Sequence, residues 1–420
     1  MLIHGLGQQA SKDWLPLLPA LAEHYQLLLF DLPGFGDSAR PDADLTPKKY
    51  ADLVHWLVSQ HAREPVFVVG HSLGGAIALR YSHDYPEEVA RLLLIDVAGV
   101  LQSTVFARHL SLVPDQVASA PVLDKWVAKG SRILNRMSGK IQDLLAGSAT
   151  ALQAMASSDK ARELLYQDSS DINAALGLVN EDFSPMIRQI HAPVWLLWGE
   201  QDPVAPLRTG LALQWLLPQA QLDTLSGVGH VPMSEDTAKT SEWLLRSLRG
   251  PLPDLKEAKA GESQGDGVCK DGNNMVFRGP WRSLRLEHCT NVRIEDATLG
   301  RLTVVGSTVD ILNVEVRSPD VAVEARDAHI MATGLRITAP QAWAVEDSRL
   351  DLAAFEAQAA QFGQQKGRAL FFMSLGRWCD GSDEWRLHEV WKPRQGKLDE
   401  QFRQARDGRC ALEAGERKRS

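Results

Sequence analysis

No apolar stretch in the 420-residue chain reaches the roughly 18 residues that a membrane-spanning helix needs, so no such helix is encoded here. The N-terminus lacks the charged-then-apolar pattern of a secretory signal peptide. No long basic block is present, and the formal net charge is a modest −8 with both signs interspersed, which argues against a nucleic-acid partner. Cysteine is missing from residues 1–268, so no disulfide can form within them. All four cysteines, Cys269, Cys289, Cys379 and Cys410, lie beyond that point, and no CxxC spacing supports a zinc site. An even set confined to one region reads as two disulfides and an oxidising compartment, Cys269–Cys289 and Cys379–Cys410 being the local pairing. Four buried free thiols in a cytosolic protein are the alternative. With 44% hydrophobic residues the chain can bury substantial cores, and its length exceeds one ordinary domain.

The most informative stretch present is Gly70-His71-Ser72-Leu73-Gly74. The apolar run Val66-Phe67-Val68-Val69 precedes it, and Gly75-Ala76-Ile77-Ala78-Leu79, which suits a helix, follows. A strand, a tight turn bearing serine and a helix make a nucleophile elbow. Glycine permits the sharp turn, and the helix N-terminus favours developing negative charge. A serine hydroxyl still needs a base, and the base an orienting acid. Asp202 lies just past the apolar run Val194-Trp195-Leu196-Leu197, and His230 follows a second expected strand, residues 221–226.

Serine, aspartate, histidine, each in a loop after a strand, is an order that resembles the α/β-hydrolase family, in its serine-dependent esterase, lipase and carbon–carbon hydrolase branch. The resemblance covers about residues 1–250. It extends to His4-Gly5-Leu6-Gly7, which is similar to the family's oxyanion loop, and to Asp31-Leu32-Pro33-Gly34-Phe35-Gly36-Asp37-Ser38, which is similar to the loop after its fourth strand. It implies that Ser72 is the nucleophile, His230 the base and Asp202 the acid. The backbone N–H groups of Leu6 and Leu73 would hold the oxyanion, and no metal or organic cofactor is needed. Asp96, which ends the run Leu92-Leu93-Leu94-Ile95, is the alternative acid, because some relatives carry it after that strand. His71 is expected to support the turn and is also a candidate for the substrate pocket, while His4 shapes its loop. A serine nucleophile argues against haloalkane dehalogenase and epoxide hydrolase chemistry.

The resemblance implies a mostly parallel sheet covered on both faces, with a helical cap over residues 99–189. Apolar cap residues such as Phe106 and Trp126 either form a ceiling over Ser72 or pack the cap's own core. Leu15–Tyr25 and Pro47–Gln60 read as helices, 26–30 as a strand and 236–248 as the closing helix. Only Met1-Leu2-Ile3 remains of the family's third strand, so the sequence reads as N-terminally truncated. A longer parent would carry two further strands and room for a signal or membrane anchor. The location would then be periplasmic or envelope-associated, and otherwise cytoplasmic.

Residues 251–267, rich in Gly, Glu and Lys, read as a linker. Beyond it Leu286–Ala357 alternates with period two and repeats at about twenty residues. Val292-Arg293-Ile294, Val309-Asp310-Ile311, His329-Ile330-Met331 and Leu350-Asp351-Leu352 occupy equivalent places. This predicts a small parallel β-helix-like all-β domain over 268–361, one coil per copy, with a β-sandwich as the alternative. Arg293, Glu295, Asp310, Glu315, Arg317, Glu324 and Arg336 would line its outer wall. Residues 362–420, with Trp378, Trp385 and Trp391, read as a capping segment and tail.

The expected activity is hydrolysis of a small-molecule carboxylic ester. Thioester, amide and C–C cleavage remain open, as does acyl transfer. The rival reading is a non-catalytic or surface-localised binding protein, whose residues 268–361 recognise a glycan or envelope component.

Overall fold

The computed structural model describes residues 1–7, 9–41, 45–101, 170–251, 263–401 and 406–410. Residues 102–169, which hold most of the expected cap with Phe106 and Trp126, lie outside the described residues. The chain forms two units, Met1–Leu255 and Lys256–Ser420. Among the described residues, no helix is long and apolar enough to cross a membrane.

In the first unit β1 (Leu2–Ile3), β2 (Val66–His71), β3 (Val89–Ile95), β4 (Val194–Gly199) and β5 (Ala220–Leu225) lie side by side in chain order, all parallel. A sheet covered on both faces needs near-continuous apolar strands rather than alternating ones. β4, Val-Trp-Leu-Leu-Trp-Gly, is accordingly buried along its whole length. One face of the sheet, with Val69, Leu93, Ile95, Trp195 and Leu197, packs on Trp14, Leu17, Trp243 and Leu244.

The segment read as a helix from Leu15 to Tyr25 is a 3-10 turn, Ala10–Leu17, followed by the short α1 (Leu18–Ala22). Pro16 and Pro19 each remove a backbone donor, which interrupts an i to i−4 ladder. Residues 26–30 contribute a single bridge, Leu29 opposite Leu2, because β1 is only two residues long. α2 (Pro47–His61) starts at Thr46, whose side chain accepts the Lys49 N–H, and carries proline in its first turn. α3 (Leu73–Asp84) follows the elbow directly. α4 (Ser170–Val179), α5 (Ser184–Ile187), α6 (Leu207–Leu216), α7 (Pro232–Glu235) and α8 (Thr237–Arg249) complete the unit. Ser72, Asp96, Asp202 and His230 all follow the carboxyl ends of strands, where ligands bind in open α/β sheets.

The second unit is a largely parallel all-β region. Its first eleven strands are β6 (Asp266–Lys270), β7 (Val276–Trp281), β8 (Ser283–Glu287), β9 (Val292–Leu299), β10 (Leu302–Val305), β11 (Thr308–Arg317), β12 (Val321–Arg326), β13 (His329–Glu346), β14 (Arg349–Lys366), β15 (Leu370–Ser374) and β16 (Gly376–Cys379). Parallel pairing runs β6–β8–β10–β12–β13 along one path and β7–β9–β11–β13 along the other. A β-sandwich would instead need antiparallel sheets.

Register places Val292, Val309, Ile330, Leu350 and Phe371 in one buried column. The third copy is therefore Ile330-Met331-Ala332, one residue on from the expected His329-Ile330-Met331. Alternation turns Ile330 inward and leaves His329 and Met331 exposed. Within the second path, and on into β14, each strand bends at a left-handed residue: Asp296 in β9, Asn313 in β11, Gly334 in β13 and Ala354 in β14. These are mostly the residue types that tolerate positive φ.

The outer wall is ion-paired along and between coils, with Arg293–Glu295 at 3.0 Å, Arg317–Glu315 at 2.8 Å and Arg336–Glu356 at 3.1 Å. Parallel pairing continues past residue 361, since β15 and β16 both add to β14. Phe362 and Phe371 take core places there, so the Val/Ile signature fades while the parallel pairing persists. Antiparallel strands then close the edge: Asp383–Leu387 pairs with β16, and Val390–Trp391 with β15. Trp378 stacks on Trp385 at 4.2 Å between centroids. Disulfides join Cys269 to Cys289 and Cys379 to Cys410, the local pairing.

Candidate active site

Ser72 adopts φ 51° and ψ −116°, a conformation that L-residues enter only when their surroundings force it. Its N–H donates to Ile95 O at 3.0 Å, and its carbonyl accepts the N–H groups of Gly75 and Ala76 at 3.0 and 3.2 Å. The turn is tight enough to dictate its glycines. A Cβ on Gly70 would stand 2.3 Å from Gly74 O, and one on Gly74 would stand 2.1 Å from Ile3 O. The His4–Gly7 loop abuts the elbow, because a Cβ on Gly5 would lie 2.9 Å from Ser72 Cβ. Leu73, at the start of α3, and Leu6, in that loop, therefore flank the serine.

His230 reaches both partners. Its Nε2 is 3.0 Å from Ser72 Oγ, and its Nδ1 is 2.7 Å from Asp202 Oδ2. The Asp202 side chain is fully buried. Its other oxygen, Oδ1, accepts the N–H groups of Val204 and Ala205 at 2.7 and 2.9 Å. Because Nδ1–H donates to the carboxylate, Nε2 presents its lone pair to the serine.

The other expected histidines have structural partners. His71 is 3% exposed and its Nε2–H donates to His230 O at 2.7 Å, so it buttresses the loop that carries His230. His4 is completely buried; its Nδ1–H donates to Gly5 O at 2.7 Å and its Nε2 accepts Leu32 N–H at 2.9 Å, tying the Gly5 loop to the 31–38 loop. Asp96 is also fully buried, and its Oδ1 accepts Gly199 N–H at 2.9 Å.

Two residues escaped the sequence reading. Glu235 in α7 accepts Gly229 N–H at 2.6 Å and Val231 N–H at 3.0 Å, clamping the backbone on either side of His230. An acid five residues after the expected base was the available signal. Asp13, half-buried in the 3-10 turn, feels the charge of His230; burial nevertheless pushes its pKa up to about 6.

Burial, reinforced by the neighbouring His230, pushes the His71 pKa down to about 3 from an ordinary 6.5. Between those values the unfolded chain takes up a proton that the native state refuses. Stability is therefore expected to fall as pH drops through this window, by about 1.4 kcal/mol per unit from this group. Urea unfolding from pH 7 to 4 should show a shallower slope for His71→Gln than for the wild type.

A family model described as alpha/beta hydrolase fold matches residues 1–237. The chain belongs to that family. Among its relatives, Lipase 1 of Psychrobacter immobilis is 28% identical over 247 residues, covering 58% of this chain and 74% of the lipase. The 2-hydroxy-6-oxononadienedioate/2-hydroxy-6-oxononatrienedioate hydrolase of a Pseudomonas species is 24% identical over 261 residues, covering 59% of this chain and 87% of that enzyme. A solved esterase from Thermogutta terrifontis superposes with TM-score 0.42 at 20% identity, covering 59% of this chain and 88% of its own. This α/β hydrolase thus has named lipases and a C–C hydrolase among its distant relatives.

Proposed function

We propose that this α/β hydrolase cleaves carboxylic esters through Ser72, His230 and Asp202. The observation that carries the reading is one imidazole bridging a serine hydroxyl at 3.0 Å and a buried carboxylate at 2.7 Å. His230 Nε2 takes the Ser72 proton as Oγ attacks the ester carbonyl. Asp202 stabilises the imidazolium that forms. The N–H groups of Leu6 and Leu73, at the head of α3, hold the tetrahedral oxyanion, where preorganised donors contribute most. His230 then gives the proton to the departing alkoxide, leaving an acyl-enzyme. Water, deprotonated by the same nitrogen, attacks the acyl carbon and releases the acid and Ser72. Ester rather than C–C substrate is supported by the lipases among the relatives. Two disulfides support a compartment that keeps thiols oxidised.

The test is labelling of the full chain with a fluorophosphonate, followed by mass spectrometry of its peptides. An adduct on Ser72, absent from Ser72→Ala, is expected. p-Nitrophenyl esters of graded length then define the acyl group. Folded wild-type protein that takes no label would overturn the proposal.

A further inference from the structure

Asp96 directly follows β3, has φ 44° and is completely buried. Its Oδ1 accepts Gly199 N–H, and the carbonyl of the same Gly199 accepts Asp202 N–H at 3.2 Å. Gly199 thus links the two residues, and both carboxyls are shut off from water. Two ionised carboxylates so placed repel strongly, and one proton shared between them removes the conflict.

The donor count decides where the charge resides. Asp202 accepts three N–H groups, from Val204, Ala205 and His230. Asp96 accepts one, and no N–H or O–H reaches its buried Oδ2. We propose that Asp96 is a positioning residue whose un-ionised Oδ2–H donates to the Asp202 carboxylate, so that the acid end of the triad carries a single negative charge. The proposal rests on the reading of Ser72, His230 and Asp202 as a triad. Burial first, and the Asp202 charge second, raise the Asp96 pKa well above the carboxylate range, with Glu235 adding to them and the Gly199 N–H opposing.

The arrangement has a catalytic consequence. A second full charge beside Asp202 would favour an imidazolium at His230 over the free base that Ser72 needs. A neutral Asp96 leaves one charge, and its hydrogen bond draws density from Asp202.

Wild type, Asp96→Asn and Asp96→Leu of the full chain test this with two readouts. In the infrared, wild type at pH 7 should show a protonated-carboxyl C=O band that shifts in D2O and is missing from Asp96→Asn. In the pH profile of p-nitrophenyl ester kcat/KM, Asp96→Leu should move the acid limb up by about one unit. Asp96→Asn should restore the limb, since its amide can donate to Asp202 and accept from Gly199. No Asp96-dependent band, or an acid limb that Asp96→Leu leaves in place, would overturn the proposal. Fluorophosphonate labelling of wild type separates the two failures. An unlabelled Ser72 sinks the triad reading and the positioning role with it, whereas a labelled Ser72 without the band sinks the shared proton alone.

Discussion

Turnover of Ser72→Ala/His230→Ala should be no slower than that of either single variant, each lying about 10⁶-fold below wild type in kcat. The reason is that the two side chains perform one act. His230 Nε2 stands 3.0 Å from Ser72 Oγ and, in the proposed mechanism, accepts the proton that attack releases. Without the hydroxyl there is nothing to deprotonate, and without the imidazole the hydroxyl is a poor nucleophile. What survives in all three variants is the binding surface and the oxyanion donors, which keep a residual rate about 10³–10⁴ above water alone. Steady-state kcat on one p-nitrophenyl ester, with circular dichroism to establish that each variant folds, measures this. Losses that multiply in the double variant would mean that His230 works independently of Ser72.

The elbow was legible because its sterics leave so little choice. A backbone carbonyl within 2.3 Å of where a side chain would begin admits only glycine, at both Gly70 and Gly74. Such a constraint writes itself into the sequence as letters at set spacing. Asp202 and His230 were legible through their order and their position after apolar runs. The supports were not. His71 bonds a carbonyl 159 residues away, and Asp96 bonds an amide 103 residues away, so neither pairing has a local pattern. Asp96 in particular reads from the sequence as an alternative to Asp202, whereas the structure buries it against Gly199, whose carbonyl accepts the Asp202 N–H.

The second unit divides along the same line. Buried columns such as Val292, Val309, Ile330 and Leu350 follow from β-branched and apolar spacing, and the repeat was visible through them. The bends within the strands were not visible, because the left-handed residue that makes each can be Asp, Asn, Gly or Ala. The extent of the stack was masked where Phe362 and Phe371 replace aliphatic residues in the core. Aromatic side chains fill the same space with a different alphabet.

Asp202→Asn is expected to lower kcat by about 10⁴-fold while leaving the fold intact. The surroundings determine which way the new amide must face. Oδ1 of Asp202 accepts two N–H groups, from Val204 at 2.7 Å and Ala205 at 2.9 Å. Only the amide oxygen of asparagine can take that place, which turns its NH2 toward His230 Nδ1, now 2.7 Å from Oδ2. An NH2 there requires Nδ1 to accept, so the proton of the neutral ring moves to Nε2. Nε2–H then points at Ser72 Oγ and can no longer take its proton. The loss is thus one of tautomer rather than of geometry, and the backbone bond from His71 to His230 O holds the ring's loop in place throughout. The kinetic signature separates this from a simple structural defect: kcat should fall with KM nearly unchanged, and the unfolding midpoint in urea should shift little. Asp202→Ala, by contrast, strands the N–H groups of Val204 and Ala205 in the core and should lower both activity and stability.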